Sequence, residues 1–478
     1  MFKKTLFASI ASVALLSGCG GDSNGAAGSN DGTPSLADSF PSEGVTLPYT
    51  VLRSDLIDVQ TQQAFEVRNG GYGSAMTADP ANERRFYALT DRGPNATFTG
   101  NYGKGKKFPT PDYTPRIGHF EVTDKGEVSL LKTILLKRPD GTFITGLPNT
   151  SALGGTGETP YNADGSPVLE DPTQPYDEST NPLRLDDYGL DGEGLVALSD
   201  GTFWISDEYG PHIVHFDANG KEIDRINPFA GDERIAYSLP AEFANRRANR
   251  GMEGLTVTPD EKTLVGIMQS TMDNPDKSVR DLDITRIVTI SLEDGSVAQY
   301  LYQQEKNQNS NSELAALSAT EILVLERDGS FLYGGPKGAA AASPEAQKTV
   351  YRIDLSTGTN LETLAVGGDL AQDENLGLTI GGETLEQVVF NDGWAGLAAR
   401  NILPVEKHLV VDMVAQVSYA HDKMEGLWVI DNQTLGVLND DDFATWSTTD
   451  GELIQKMLDS NAIDGNRLYI VPADLSVQ

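Results

Sequence analysis

The chain reads as all-β, a single β-propeller of about six or seven blades with long loop insertions. Three observations predict it. From about Leu47 onward, short apolar runs flank turn residues, as in "GLVALSDGTFWIS", "GLTVTPDEKTLVGIM" and "GLWVIDNQTLGVL". In each, β-prone residues bracket an Asp-Gly, Pro-Asp or Asp-Asn turn. Helical periodicity is weak, and a few segments, such as "PAEFANRRA" and "ELIQKMLDS", read as short helices. A unit also recurs: acid-Gly-Leu, strand, turn, strand, then polar or acidic residues. It appears as "GEGLVALSDGTFWISDEY", "MEGLTVTPDEKTLVGIMQS" and "MEGLWVIDNQTLGVLNDDD", and more loosely as "SELAALSATEILVLERDG" and "GYGSAMTADPANERRFYALTDRG". Repeated strand units of this length point to propeller blades, and 49 glycines suit a turn-rich chain.

The N-terminal stretch is of another kind. "MFKKTLFASIASVALLSGCG" has Lys3 and Lys4, an apolar run too short to cross a bilayer, and a small-residue ending. Leu16-Ser17-Gly18-Cys19 has the form of a lipoprotein cleavage box, and Cys19 is the only cysteine, which excludes disulfides within the chain. Residues 1–19 are thus expected to be a signal peptide, with Cys19 as the lipid attachment point. Residues 20–46 read as a Gly/Ser/Asn tether and residues 47–478 as the folded domain. The expected location is a bacterial membrane reached only through the lipid, the outer membrane favoured because Gly20 follows Cys19. The folded domain would then be periplasmic or extracellular. "YTVLRSDLIDV" is expected to pair with "NRLYIVPADL", closing the ring and hiding both edges. Residues 97–115, residues 138–187 and "GGPKGAAAASPEAQ" break the repeat as insertions.

Charge narrows the function. The net charge is -34, and no basic patch suits nucleic acid. A hairpin returns its second strand to the end where the first began. Glu193 is therefore expected beside Asp207 and Glu208, Glu253 beside Gln269, Glu313 beside Glu326 and Asp328, and Glu425 beside Asn439 and Asp441. Asp91, Arg92 and Asn95 end the strand "RFYALT" at the matching place. In a propeller these groups crowd one mouth of the central channel, where like charges need cations or protons to coexist. Calcium suits many carboxylate and amide oxygens. Zinc suits the site less, because the chain has five histidines and His212 and His215 should point to opposite faces of a strand. Expected metal ligands are Asp91, Glu193, Asp207, Glu253, Glu313, Glu326, Asp328, Glu425, Asn439 and Asp441. Glu208 is the expected general base, Arg92 and Arg327 the holders of an anionic group, and Asn95, Gln269 and Lys423 further substrate contacts. Within residues 47–478 there is neither a Gly-x-Ser-x-Gly elbow nor a nucleotide-binding loop.

At these residues the chain resembles the family called "esterase-like activity of phytase", or phytase-like domain proteins. "DGEGLVALSDGTFWISDEYGPHIVHFDANG", "NRGMEGLTVTPDEKTLVGIMQS", "SELAALSATEILVLERDG", "LTDRGPN", "PVEKHLVVDM" and "KMEGLWVIDNQTLGVLNDDDF" carry the resemblance, in the family's order and from about Val51 to Phe443. It implies a β-propeller and ester hydrolysis, and the family's name links it to propeller phytases, which use calcium on phosphate monoesters. The Lys- and Arg-rich phosphate site of such phytases is not evident. Where the family often ends its last motif Asn-Asp-Asn-Asp-Phe, this chain has Asn439-Asp440-Asp441-Asp442-Phe443. The expectation is a monomeric, lipid-anchored, calcium-assisted hydrolase of a small anionic ester. The alternative is a non-catalytic binding module with structural calcium.

Overall fold

The computed structural model describes residues 36–476, so the expected signal peptide, Cys19 and the first part of the tether lie outside the described residues. Strand dominates, and four-stranded antiparallel sheets are the repeated unit. The first sheet runs Ala75–Ala78, Arg85–Leu89, Arg116–Val122, Val128–Leu135. The second runs Gly192–Ala197, Phe203–Asp207, Ile213–Phe216, Glu222–Asn227, with Ile235–Ser238 added in parallel. The third runs Met252–Val257, Thr263–Met268, Ile284–Ser291, Val297–Gln303. The fourth runs Ser310–Ala316, Glu321–Arg327, Lys348–Asp354, Glu406–Asp412. The fifth runs Gly426–Asp431, Thr434–Leu438, Arg467–Pro472, and ends on Val45–Thr46 from the other end of the chain.

The leading strand of each sheet touches that of the next, and the fifth returns to the first, so the sheets form a propeller-like ring. Five apolar cores lie between successive sheets. Leu89 and Ile117 meet Leu195 and Phe203; Trp204 and Ile213 meet Leu255 and Met268. Ile267 and Ile287 meet Leu314 and Val324; Leu325 and Val350 meet Leu427 and Val437; Trp428 and Leu438 meet Met76 and Phe86. The residue after the small one in four repeats (Met76, Leu195, Leu255, Leu427) and after Glu313 in the fourth sheet (Leu314) is buried at these seams, and each such side chain contributes about 1.5–3 kcal/mol of burial.

The ring has five repeated sheets among the described residues, against the six or seven expected. The recurring unit itself appears five times in the sequence, and the insertions lengthen the chain between units. Those insertions include a three-stranded sheet of Ala96–Gly100, Gly103–Phe108 and Thr159–Asn162. A second holds the helix Leu385–Asp392, closed by a capping box of Thr384 and Gln387 that the sequence reading missed. Other expectations are also corrected. Thr50–Ile57 pairs with Ala64–Asn69, and it is Val45–Thr46 that meets the C-terminal strand. Packing reaches back to Leu36 and Phe40, inside the expected tether. "PAEFANRRA" holds a 3₁₀ turn at Ala241–Asn245, and "ELIQKMLDS" begins as the strand Leu453–Gln455, paired with Thr445–Ser447. No helix among the described residues is long and apolar enough to cross a membrane.

Candidate functional site: a buried carboxylate ring

Register decides which side chains enter the mouth. In the second and third sheets the pairing slips between Gly192 and Gly194 and between Met252 and Gly254, leaving Glu193 and Glu253 as bulged residues. A bulge re-aims its side chain while the ladder resumes beyond it. The same slip in the fourth sheet falls between Asn311 and Glu313, so Ser312 holds the equivalent place. Ser74 and Glu425, each one residue ahead of its leading strand, complete the set. The small residue that follows is needed for close approach. A Cβ on Gly194 would lie 2.4 Å from Ser206 Oγ and 2.7 Å from Leu255 N, and one on Gly254 would lie 2.9 Å from Glu313.

A second tier comes from the ends of the second strands. Counting two residues past the partner of Ala75, Gly194, Gly254, Glu313 and Gly426 gives Asp91, Glu208, Gln269, Arg327 and Asp440. All are buried, as are Glu193, Glu253 and Glu425. Asp191, two residues ahead of Glu193, joins them: single oxygens of Asp91, Asp191 and Glu193 all lie within 4.8 Å of one another.

Contacts tie the tiers together. Arg92 Nη1 lies 3.1 Å from Asp191 Oδ2 and 3.4 Å from Glu158 Oε2, and donates to Asn249 Oδ1 at 3.2 Å. Gln269 Nε2 donates to Glu208 Oε1 at 3.2 Å and also to Glu253 Oε1. Arg327 pairs with Glu425 and lies 3.8 Å from Glu253. Lys423 Nζ lies 2.6 Å from Asp440 and 2.9 Å from Asp442. Burial, then the neighbouring carboxylates, pushes Glu193, Glu208 and Asp91 well above the usual carboxylate range. Burial and Glu425 push Glu253 up to about 7, while burial holds Asp440 at about 6 against the opposing charge of Lys423.

Not every expected residue reaches the ring. Side chains alternate along a strand end, so the neighbours of the mouth-facing residues turn elsewhere. Asp207 accepts from the backbone of Asp191 at 2.8 Å and Gly210 at 2.7 Å. Glu326 is held by Tyr302, Asn309 and Lys407, and Asp328 by Lys348. Asn439 accepts from Arg467 N, and Asp441 from Gly71 N and Phe443 N. Asn95 bonds back to Gly93 O at 3.1 Å. Glu313 stands where other sheets carry Gly or Ala, and accepts from Leu255 N and Leu314 N. The expectation of those residues as ligands assumed that every acid at a strand end faces inward. It missed Asp191 and Asp440, which period-2 counting from Glu193 and from Leu438 would have found, and Ser312, which only the register slip in the fourth sheet places. A cavity of about 660 Å³ between Phe65, Tyr333 and Ile454 includes none of the ring residues.

The ring's donor set fits a hard divalent cation. Asp91, Asp191, Glu193, Glu208, Glu253, Glu425 and Asp440 face Arg92, Arg327 and Lys423, seven carboxyls against three cations. Oε2 of Glu253 and Oε2 of Glu425 are buried without a hydrogen bond. Buried negative charge in excess must take up protons or a cation.

Among known proteins, an uncharacterized secreted protein of Arthroderma benhamiae is 27% identical over 324 residues, 59% of this chain. The match spans 62% of that relative's length. A crystallised Lactobacillus plantarum protein aligns over 86% of this chain and 93% of its own at 10% identity and a TM-score of 0.30. The β-propeller domain of Myceliophteria thermophila Cps50 aligns over 84% and 88% at 8% identity and a TM-score of 0.28. The pattern of the Phytase-like family, described as "esterase-like activity of phytase", matches residues 68–443, from the first sheet of the ring to the last acid cluster. The chain therefore belongs to the Phytase-like family.

Proposed function

We propose that this protein is an exported hydrolase of ester bonds, phosphoric esters foremost, that works with a divalent cation, calcium in preference, held by Asp91, Asp191 and Glu193. The observation that carries the reading is the surplus of buried carboxyls, gathered from all parts of the chain around one mouth. The family description supports ester hydrolysis, and the secreted relative supports export. Attachment through Cys19 to a bacterial membrane, the outer one favoured, and action as a monomer belong to the same proposal.

A calcium ion on those oxygens would supply positive charge beside a phosphoryl oxygen and acidify a water. Glu208 serves as the general base. Its burial, then the charges of Glu253 and Asp191, raises its proton affinity well above that of a free carboxylate, which makes it a stronger base. The two hydrogen bonds from Gln269 fix its orientation relative to Glu253. Arg92 and Arg327 hold the anionic group. Water oxygen attacks phosphorus as one of its protons passes to Glu208; the ester P–O bond breaks, and the leaving alkoxide takes that proton back from Glu208 to depart as the alcohol, which restores the carboxylate.

The test uses the chain without residues 1–19. Turnover of p-nitrophenyl phosphate, its bis ester and a short acyl ester is measured with calcium and with chelator. Loss of turnover in Glu208→Gln with melting behaviour retained supports the hydrolase. The second reading, a binding module with a structural ion, is favoured by the depth of the ring, where Glu253 and Glu425 are each 1% exposed. No turnover on any ester, with chelator lowering only the melting temperature, selects it. For the anchor, Cys19→Ala should move the protein from the membrane to the soluble fraction; continued membrane retention would refute lipid attachment.

A further inference from the structure

The segment leading into the third sheet carries Arg246, Arg247 and Arg250. Arg246 is engaged, donating to Tyr209 O and Gly154 O. The other two differ. The structure holds 30 ion pairs among the described residues, yet neither Arg247 nor Arg250 takes part in any, and neither guanidinium donates a hydrogen bond. Nη1 of each is nevertheless buried. The chain has 70 acids and 36 bases, so a half-buried guanidinium with a buried Nη1 and no carboxylate partner is unexpected.

Backbone geometry places the pair at the ring. A tight turn closed by Arg250 N–H on Arg247 O at 3.0 Å, with Asn249 at φ 52°, presents both arginines from one loop. Asn249 between them accepts from Arg92. Gly251 is so close to Glu208 that a Cβ there would lie 2.5 Å from Glu208 O. Arg250 feels Glu208, Glu253 and Arg327, and burial together with Arg247 weakens its hold on its proton.

We propose that Arg247 and Arg250 form an oxyanion subsite at the rim of the ring, which holds a second anionic group of the substrate, a phosphate or carboxylate beyond the ester being cleaved. This rests on the hydrolase reading for its link to catalysis but not for the binding itself. Paired guanidinium forks suit phosphate and carboxylate oxygens, and the subsite supplies basic groups that the motifs alone did not reveal.

Isothermal titration of the protein without residues 1–19, in calcium-free buffer, tests it with two probes, inorganic pyrophosphate and succinate. The wild type should bind at least one of them, and the preferred probe identifies the anion. Arg247→Gln/Arg250→Gln should weaken that binding at least tenfold, while Arg84→Gln, which alters an exposed pair with Asp124, should not. In unmutated protein, pyrophosphate or succinate should protect the peptide carrying Arg247 and Arg250 from phenylglyoxal, a readout that stands even where the double variant misfolds. Absence of binding to both probes, equal affinity in the double variant, or no protection overturns the subsite. Binding that depends on these arginines in a protein that cleaves no ester keeps the subsite and removes the hydrolase; ester turnover with no such binding does the reverse.

Discussion

Removing the cation from the carboxylate ring should make stability fall as pH rises, which is opposite to ordinary acid denaturation. Glu253 is the group from which to work the magnitude. Burial and Glu425 raise it from 4.5 to about 7. The folded chain therefore holds a proton between those values that the unfolded chain has released. Stability from this group is complete below pH 4.5 and is lost as pH rises through 7, at a cost of about 3 kcal/mol for Glu253 alone. Asp440, raised from 3.8 to about 6, acts in the same direction over a window about one pH unit lower. Acids held low by their partners, such as Asp232 at about 2, titrate below the range and do not confuse it. Calcium at a hundredfold over its dissociation constant restores about 2.7 kcal/mol. The assay is thermal melting at pH 5 and pH 8, with chelator and with calcium. In chelator the melting temperature should drop by about 5 °C from pH 5 to pH 8, taking the flatter dependence of a long chain. Calcium should recover most of it at pH 8 and little at pH 5, and Glu253→Gln should flatten the drop in chelator. A melting temperature in chelator that is level or rising over this range, or a calcium effect equal at both pH values, would refute the argument.

Three further outcomes follow from the geometry. Gly194→Ala should destabilise by about 1–3 kcal/mol in urea, because the added methyl meets Ser206 Oγ at 2.4 Å and Leu255 N at 2.7 Å; a neutral effect would show the seam to be loose. Arg327→Ala should cost about 3–5 kcal/mol, since it strips Glu425 and Glu253 of a buried cation; Arg327→Ala/Glu425→Gln should recover part of that, and failure to recover would place the loss elsewhere. Glu208→Gln should lower kcat on p-nitrophenyl phosphate at least a hundredfold, and a value within threefold of wild type would exclude Glu208 as the base.

Much of the ring was legible because the acid-Gly-Leu unit states its own geometry. The small residue must let neighbouring strands approach, the next apolar residue must fill a seam, and the acid is left at the strand end; Glu193, Glu253 and Glu425 follow. What the text hides is register. "NSELAAL" shows Glu313 where "MEGLTV" shows Gly254, and only the slip at Ser312 reveals that the acid has moved one place, where it accepts from Leu255 N and Leu314 N instead. At the strand ends a run such as Asn439-Asp440-Asp441-Asp442 offers several acids, and alternation admits Asp440 while Asp441 caps Gly71 and Phe443. The number of sheets is equally hard to read, because the insertions consist partly of strands of their own.

The ring's composition varies around its circuit. In sheet order the bulge positions are Ser74, Glu193, Glu253, Ser312 and Glu425, and the strand-end positions are Asp91, Glu208, Gln269, Arg327 and Asp440. Acid is densest where the first and second sheets meet, at Asp91, Asp191, Glu193 and Glu208. Between the third and fourth sheets the same positions hold Gln269, Ser312 and Arg327, and Arg250 approaches from the lead-in to the third. A mouth acidic all round would repel an anionic ester even with a cation bound. One that sets guanidiniums among its carboxylates, Arg92 beside Asp191 and Arg327 beside Glu425 and Glu253, can hold a cation and the anion it serves next to each other, and this mixture is a stronger argument for a phosphate ester than the number of acids alone.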